Sequence, residues 1–245
     1  MRPHPGRLLH SRHHAGCNAD CTTALGALRQ DFTTVLPMAL FHRATLTPTK
    51  GDLIAEWAPR QRWAPPDTTS LEVIGAFRLD DPDGRVGMEI HIADAGGTLL
   101  HVPLTYRDEP LEGADDALIT EMQHSVLGTR WVYDGLRDPL LVTMLAGVTM
   151  TGQGEALGMV MYEGRWHIAP TNVRIQGGGW TLERVPVDQF ELERDDADAS
   201  VLRNDRFTFT LYRQPAPGPR PAIGLTATWD GLPAPVVLAE ISDGV

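Results

Sequence analysis

The feature that most constrains the fold is an alternation of apolar and polar residues with a period of two between residues 71 and 106. It recurs in three successive segments, 71–79, 86–92 and 99–106. The turn sequences Asp81-Pro82-Asp83-Gly84 and Ala95-Gly96-Gly97 separate them. Because this period is typical of strands with one covered face, and short turns join neighbouring strands, the pattern predicts an antiparallel meander of three strands.

Helices are predicted on either side of this meander. One begins at Thr47-Pro48, where a hydroxyl cap precedes proline in the first turn, and ends by Pro59. A second spans residues 140–150, since Asp138-Pro139 supplies a capping carboxylate and a preset φ. A short helix is also predicted near residues 115–121. The apolar face of the first helix consists of Leu53, Ile54 and Trp57.

Beyond Thr151 the predicted structure is almost entirely β. The acidic run 191–198 predicts a solvated loop, the glycines at 177–179 a wide turn or bulge, and residues 215–221 a stiff connector. The predicted fold class is α+β, with an antiparallel sheet and a few covering helices in the first part and a β-rich second part. Strands are predicted at 156–162, 173–176, 181–187, 207–212, 223–229 and 236–241.

Composition excludes several classes of function. The formal net charge is -11 without any basic run, which argues against binding to nucleic acid through its phosphate backbone. No apolar stretch reaches the roughly 20 residues of a membrane-spanning helix. Both cysteines, Cys17 and Cys21, lie near the start, so the remaining chain has no disulfide or thiolate nucleophile. These features predict a cytoplasmic protein.

Residues 1–37 differ from the rest of the chain. They hold four Arg, four His and two acidic residues with no sustained period. They are predicted to be a disordered extension, or a mis-assigned start with Met38 as the true one. The donor types there would suit a zinc or nickel ion, but no helix or strand framework is predicted around them, so no metal site is assigned. These donors are His10, His13, His14, Cys17 and Cys21.

Three further elements accompany the meander: Val102-Pro103-Leu104, Trp131-Val132-Tyr133-Asp134 and Asp138-Pro139. Together with the hairpin they resemble the N-terminal cap domain of actinobacterial maltokinases, which phosphorylate maltose with ATP. The similarity is close over residues 50–150 and loose over 195–225. It implies a cap-like α+β domain at 38–150, followed at 151–245 by a β-rich part that is a candidate for a degenerate kinase N-lobe.

The resemblance also implies which residues a kinase of this type needs for phosphoryl transfer. A phosphate-binding lysine would fall at Thr210, and the chain has one lysine, Lys50, at the start of a predicted helix. The segment 167–172 echoes a catalytic loop but lacks its aspartate, and 24 residues follow Pro221 (245 minus 221). No catalytic, cofactor-binding or metal-binding residue is therefore assigned, and the protein is predicted to be non-catalytic.

An aromatic and basic group of side chains is the candidate interaction surface. Trp and Arg are enriched at interface hot spots, although the rings could instead close the edge of the sheet core. The surface consists of Trp57, Arg60, Arg62, Trp63, Trp131 and Tyr133.

The resemblance implies an accessory or regulatory protein of α-glucan, maltose or trehalose metabolism, with an enzyme or a second copy of itself as partner and with neither nucleic acid nor membrane. One alternative is a subunit of a sugar kinase completed by another chain. Another is a module that binds glucan or a small molecule, which requires at least two exposed rings in a groove. The candidate rings are Trp57, Trp63, Trp131 and Trp166.

Overall fold

In the part of the chain that the structure describes, two six-stranded antiparallel sheets and a small three-stranded sheet form the architecture. This computed structural model describes residues 39–40, 44–66, 68, 70–169, 171–179 and 184–244. The predictions for residues 1–37, including the His and Cys donors, lie outside the described residues. In chain order the elements are β1 (Ala39–Leu40), β2 (Leu46–Thr47), α1 (Lys50–Trp57), β3 (Glu72–Leu79), β4 (Gly87–Ala95), β5 (Thr98–Arg107), β6 (Leu118–His124), β7 (Gly128–Asp134), α2 (Pro139–Thr151), β8 (Gly158–Tyr162), β9 (Arg165–Ile168), β10 (Arg174–Gly177), β11 (Glu191–Asp195), β12 (Ser200–Arg203), β13 (Phe207–Leu211), β14 (Gly224–Thr228) and β15 (Val236–Asp243).

The first large sheet has the strand order β2-β6-β7-β5-β4-β3 and contains the predicted meander β3-β4-β5. The period of two predicts that Leu71, Val73, Phe77 and Leu79 share one face of the strand, and this detail is wrong. A register shift between Val73 and Gly75 sends Leu71 and Val73 into one core and Phe77 and Leu79 into the other. A bulge inserts one residue, and each such insertion reverses the side-chain alternation.

The two α-helices of the described residues start with side-chain caps. The prediction that Thr47 caps α1 is wrong, because Thr49 Oγ1 accepts the hydrogen bond from the Asp52 amide at 3.2 Å. The prediction for α2 is confirmed, since the Asp138 carboxylate accepts from the Leu140 amide at 3.1 Å. The short helix predicted near 115–121 is confirmed only as a 3-10 turn at Asp115–Ala117, and the rest of that prediction is wrong because β6 begins at Leu118.

The second large sheet has the order β10-β14-β15-β13-β12-β11. The prediction of a loop over 191–198 is wrong for its first five residues, because Glu191–Asp195 forms the edge strand β11 of this sheet. Glu191 and Glu193 are exposed while Leu192 packs against the core, so the acids occupy the solvent face of a strand. Strands β9 and β12 are not predicted, and residues 184–187 form no strand.

The glycines at 177–179 form neither a wide turn nor a bulge. Gly177 ends β10, and the run packs against the C-terminal turn of α2, with the Gly179 amide donating to the Thr149 carbonyl at 2.9 Å. A Cβ on Gly177 would lie 2.0 Å from the Val148 carbonyl oxygen. These glycines therefore permit a close approach of two backbones.

Two hydrophobic clusters lie on opposite faces of the first sheet. Helix α1 covers the face that presents Leu100, Val102 and Leu104. Helix α2 packs on the other face with β10, β14 and β15, so Ile90 and Phe209 belong to one cluster. The domain boundary at residue 150 stays a prediction, although residues from both sides of it build this second cluster. None of the described helices has the length and apolarity to cross a membrane.

Candidate functional site

Lys50, the first residue of α1, is the lysine around which the candidate site forms. The Thr49 cap sets α1 over β4, and the Lys50 ammonium makes an ion pair with the Glu89 carboxylate. The Lys50 side chain is 32% exposed and the Glu89 side chain 12%. The ammonium also lies 5.1 Å from the centroid of the Tyr106 ring, a distance at which the ring face attracts a cation.

The strand pairing brings further polar groups to the same face. Glu89 and His91 are two residues apart on β4 and so point the same way. Arg78 on β3 is directly opposite Glu89 in the register. The His91 Nε2 atom lies 3.3 Å from the Tyr106 hydroxyl. A polar cluster of Lys50, Arg78, Glu89, His91 and Tyr106 therefore lies beneath the start of α1.

Burial and neighbouring charges set the protonation of this cluster. Burial lowers the pKa of His91 to about 4, although Glu89 opposes the shift, so the imidazole is neutral at pH 7. Burial opposes ionisation of Glu89, but positive charges outweigh it and lower the pKa of Glu89 below its ordinary value. These charges are the His91 imidazolium, which forms only at acid pH, and those of Lys50 and Arg78. Burial, and then the Glu89 charge, raise the pKa of Tyr106. The cluster thus holds an ionised carboxylate beside a neutral imidazole and a neutral phenol.

A cleft of about 370 Å³ opens over the cluster. One wall is formed by β3 and β4, and the other by two segments that contribute Glu155, Ala156, Gly158, Ala169, Thr171 and Asn172. Glu155 in the second wall accepts a hydrogen bond from the Ile175 amide at 2.9 Å. The polar lining side chains are Lys50, Arg78, Glu89, His91, Glu155, Thr171 and Asn172, and small or aliphatic residues such as Ile74, Ala76, Ala156 and Ala169 complete the lining.

Asn172 fixes the position of the second wall. Its Oδ1 accepts from the Ala76 amide at 3.3 Å, and its Nδ2 donates to the Ile74 carbonyl at 3.2 Å. The amide thus fills the bulge of β3, directly over Gly75, where a Cβ would lie 2.6 Å from Asn172. In the segment compared with a catalytic loop, His167 and Ile168 thus end β9, and Asn172 fills the bulge of β3.

The chemistry of the cleft is that of a hydrogen-bonding site with both signs of charge. It offers ammonium, guanidinium and carboxylate groups beside apolar patches. Nowhere in the described part of the chain do three His, Cys, Asp or Glu side chains form a group that could hold a metal ion. The arrangement is suited to a small polar molecule.

Of the six side chains in the predicted interaction surface, two are buried. Trp63 has no exposed surface, and its ring contacts the Trp57 ring edge to face with the centroids 5.7 Å apart. Tyr133 is 1% exposed, and its hydroxyl accepts from the Leu111 amide at 2.9 Å. These two rings close the cores and offer nothing to a partner.

The other four lie nearer the surface. Arg60 and Arg62 are exposed, and Arg60 pairs with Glu56 one helical turn away. Trp57 and Trp131 are half-buried. An interaction surface made by these four side chains stays a prediction.

The glucan-binding alternative required two exposed tryptophan rings. Among the four candidates only Trp166 is exposed, at 50%, and it lies on the β8–β9 hairpin. The four rings therefore do not provide the two exposed stacking surfaces that this alternative needs.

Arg213 is a residue that the sequence interpretation missed. Its guanidinium is fully buried over the Trp63 ring, 4.8 Å from the centroid. It donates to the Asp134 carboxylate at 3.0 Å and to the Ser200 hydroxyl at 2.8 Å. A signal was available, because Arg213 continues the period-two series of Phe207, Phe209 and Leu211 onto the buried face.

Thr210, at the position that aligned with a kinase lysine, lies on β13 between Val201 and Glu240 of the neighbouring strands. Its side chain is half-buried and carries no charge. The strand predicted at 207–212 is confirmed by β13, and its alternating residues Phe207, Phe209 and Leu211 are all buried.

Residues 57–138 match the family model of the maltokinase N-terminal cap domain. The matched stretch runs from the last residue of α1 to the N-cap of α2 and includes β3 to β7. No curated protein matches the chain.

Proposed function

Residues 57–138 form a maltokinase N-terminal cap-like domain, and from this premise we propose that the protein is a non-catalytic accessory or regulatory component of maltose, trehalose or α-glucan metabolism. It acts in the cytoplasm by docking on an enzyme of that metabolism or on a second copy of itself, without nucleic acid or membrane. The actinobacterial source implied by the resemblance is part of this proposal.

One observation carries the non-catalytic part of the proposal. Phosphoryl transfer of the kinase type uses a lysine to hold the nucleotide phosphates. The single lysine of the chain, Lys50, is paired with Glu89 beneath α1 and lies over the Tyr106 ring. An incoming triphosphate would have to break this ion pair and would then face the Glu89 carboxylate. Thr210 supplies no charge in its place.

The test is a transfer and binding assay on the full chain. The protein is incubated with γ-labelled ATP, Mg²⁺ and maltose, and in parallel ATP binding is measured by calorimetry. We expect neither labelled sugar phosphate nor saturable binding of ATP. Sugar phosphate formed by the purified chain refutes the proposal. Mg²⁺-dependent ATP binding without transfer favours instead the subunit of a kinase completed by another chain.

The accessory role has its own test. The tagged full chain is mixed with purified enzymes of maltose, trehalose and α-glucan metabolism, and complexes are measured by sedimentation. A stoichiometric complex with one of them, or a stable homodimer, supports docking. A monomer that binds none of these enzymes contradicts it. Arg62→Glu, at an exposed position of the predicted interaction surface, tests whether that surface is used.

A further inference from the structure

We propose that the cleft beneath α1 is a binding site for a neutral polyhydroxylated molecule of the size of a mono- or disaccharide. The site belongs to the cap-like part of the chain and the segment that packs on it. It goes beyond the proposed docking role, and only the choice of maltose and trehalose as probes rests on the proposed function.

The charges of the lining disfavour three classes of ligand. Lys50 and Arg78 contribute two positive charges, and Glu89 and Glu155 two negative ones. A phosphate group would face both carboxylates, and a cation would face both basic groups. A purely apolar ligand would remove water from ionised groups without replacing their hydrogen bonds, which is costly. A neutral ligand rich in hydroxyl groups avoids all three penalties.

The lining groups have capacity for such hydrogen bonds. An ammonium has three donors and a carboxylate about four acceptor positions. The ion pair engages one Lys50 donor, and the Ile175 amide engages one acceptor position of Glu155. A hydroxyl both donates and accepts, so adjacent sugar hydroxyls can bond to carboxylates and to the ammonium at once.

The apolar part of the lining matches the other surface of a sugar. Ile74, Ala76 and Ala156 line the cleft without bulky side chains or charge. They provide a surface against which the C–H face of a pyranose ring can pack. The volume of about 370 Å³ is at the lower end of the range of small-molecule sites, which favours a short saccharide over a glucan chain.

The test compares the unchanged full chain with three variants of it. Glu155→Gln keeps an oxygen for the Ile175 amide while removing the charge. Ala156→Leu fills the cleft without changing charge. Ala55→Leu, on the exposed side of α1, is the matched control for added volume. Circular dichroism and thermal melting without sugar establish that each variant is folded.

Binding of maltose, of trehalose and of inorganic phosphate is measured by calorimetry and by saturation-transfer NMR. These methods are needed because sugars stabilise proteins generally through exclusion from the surface, which shifts melting temperatures without a site. We expect saturable binding of at least one disaccharide to the unchanged chain and to Ala55→Leu. Affinity should fall by about tenfold or more in Glu155→Gln and Ala156→Leu, as expected for a lost charged hydrogen bond or a blocked cleft.

Absence of saturable sugar binding overturns the inference. So does equal binding by all four forms, because the cleft is then not involved. Saturable binding of phosphate at the cleft in place of sugar overturns the assigned ligand class. None of these outcomes depends on ATP transfer or on enzyme docking, so the inference and the proposed function can fail separately.

Discussion

At the residue scale, two basic side chains at or below the surface, Lys50 and Arg213, connect separate elements through ion pairs. Lys50 and Glu89 hold the start of α1 to the first sheet. Arg213 connects Asp134 at the end of β7 with Ser200 and Asp195 of the second sheet. Removing one member of a buried pair leaves the other charge without compensation, so single substitutions cost more than the intact pair contributes.

Lys50→Met is expected to lower the free energy of unfolding by about 1–3 kcal/mol, a range reduced because the lysine is partly exposed. The loss arises from the Glu89 carboxylate, which stays in a largely buried position without its ammonium. Urea denaturation measures the change. The double variant Lys50→Met with Glu89→Gln should recover part of the stability, and a further loss would contradict this account.

Arg213→Met is expected to lower the free energy of unfolding by about 3–5 kcal/mol, since the buried Asp134 and the half-buried Asp195 lose their shared guanidinium. Arg213→Lys should also be destabilising, because an ammonium cannot reproduce the forked donor geometry. The matched control is Arg62→Met at an exposed position, with an expected change within about 0.5 kcal/mol. Equal effects at the two positions, measured by urea denaturation, would refute the role given to Arg213.

At the scale of elements, the close backbone contact between α2 and β10 restricts which residues the sequence can carry there. The backbone of Gly177 approaches the Val148 carbonyl so closely that no Cβ fits between them. In contrast, a Cβ added to Gly147 in α2 meets no atom within 4 Å. Gly177 ends β10 and Gly147 lies within α2, and the space around them differs enough to predict opposite effects of the same substitution.

Gly177→Ala is expected to cost about 2 kcal/mol or more, because the helix and strand must move apart. Gly147→Ala should instead stabilise by about 0.5–1 kcal/mol, since alanine restricts the unfolded chain and favours helix. Thermal and urea unfolding of both variants measure the two changes. If both substitutions changed the free energy of unfolding in the same direction, the contact between α2 and β10 would be looser than described.

At the scale of the whole molecule, two buried histidines link stability to pH. Burial lowers the pKa of His91 to about 4 on the face covered by α1. On the opposite face, burial and then the Arg213 charge lower the pKa of His101 to about 3. Both values lie below the ordinary 6.5. The unfolded chain therefore binds protons on acidification before the folded protein does.

The free energy of unfolding should consequently be highest above about pH 6.5 and fall as the pH is lowered towards 4, by up to about 1.4 kcal/mol per pH unit for each histidine. Urea denaturation at pH 7, 6 and 5 measures this slope. His101→Gln should remove the contribution of one histidine from this dependence on pH, whether or not it also changes the free energy of unfolding at pH 7. His167→Gln, at an exposed position, should leave the slope unchanged, and an unaltered slope in His101→Gln would contradict the prediction.

Local chemistry determined much of this fold in advance. The period of two placed β3, β4 and β5, and the Asp138-Pro139 pair placed the start of α2, because alternation and capping involve residues adjacent in the chain. The same alternation put Phe207, Phe209 and Leu211 on a buried face. The family match at 57–138 agrees with the motifs that carried the resemblance.

The tertiary structure alone decided the rest. Asn172 fills a bulge in a strand almost one hundred residues earlier, and that bulge divides the apolar residues of β3 between two cores. Lys50 acquires its partner from β4, and the cleft exists only where two distant segments face each other. Such contacts depend on the three-dimensional register of residues far apart in the chain, whereas a sequence pattern reports only the preferences of near neighbours.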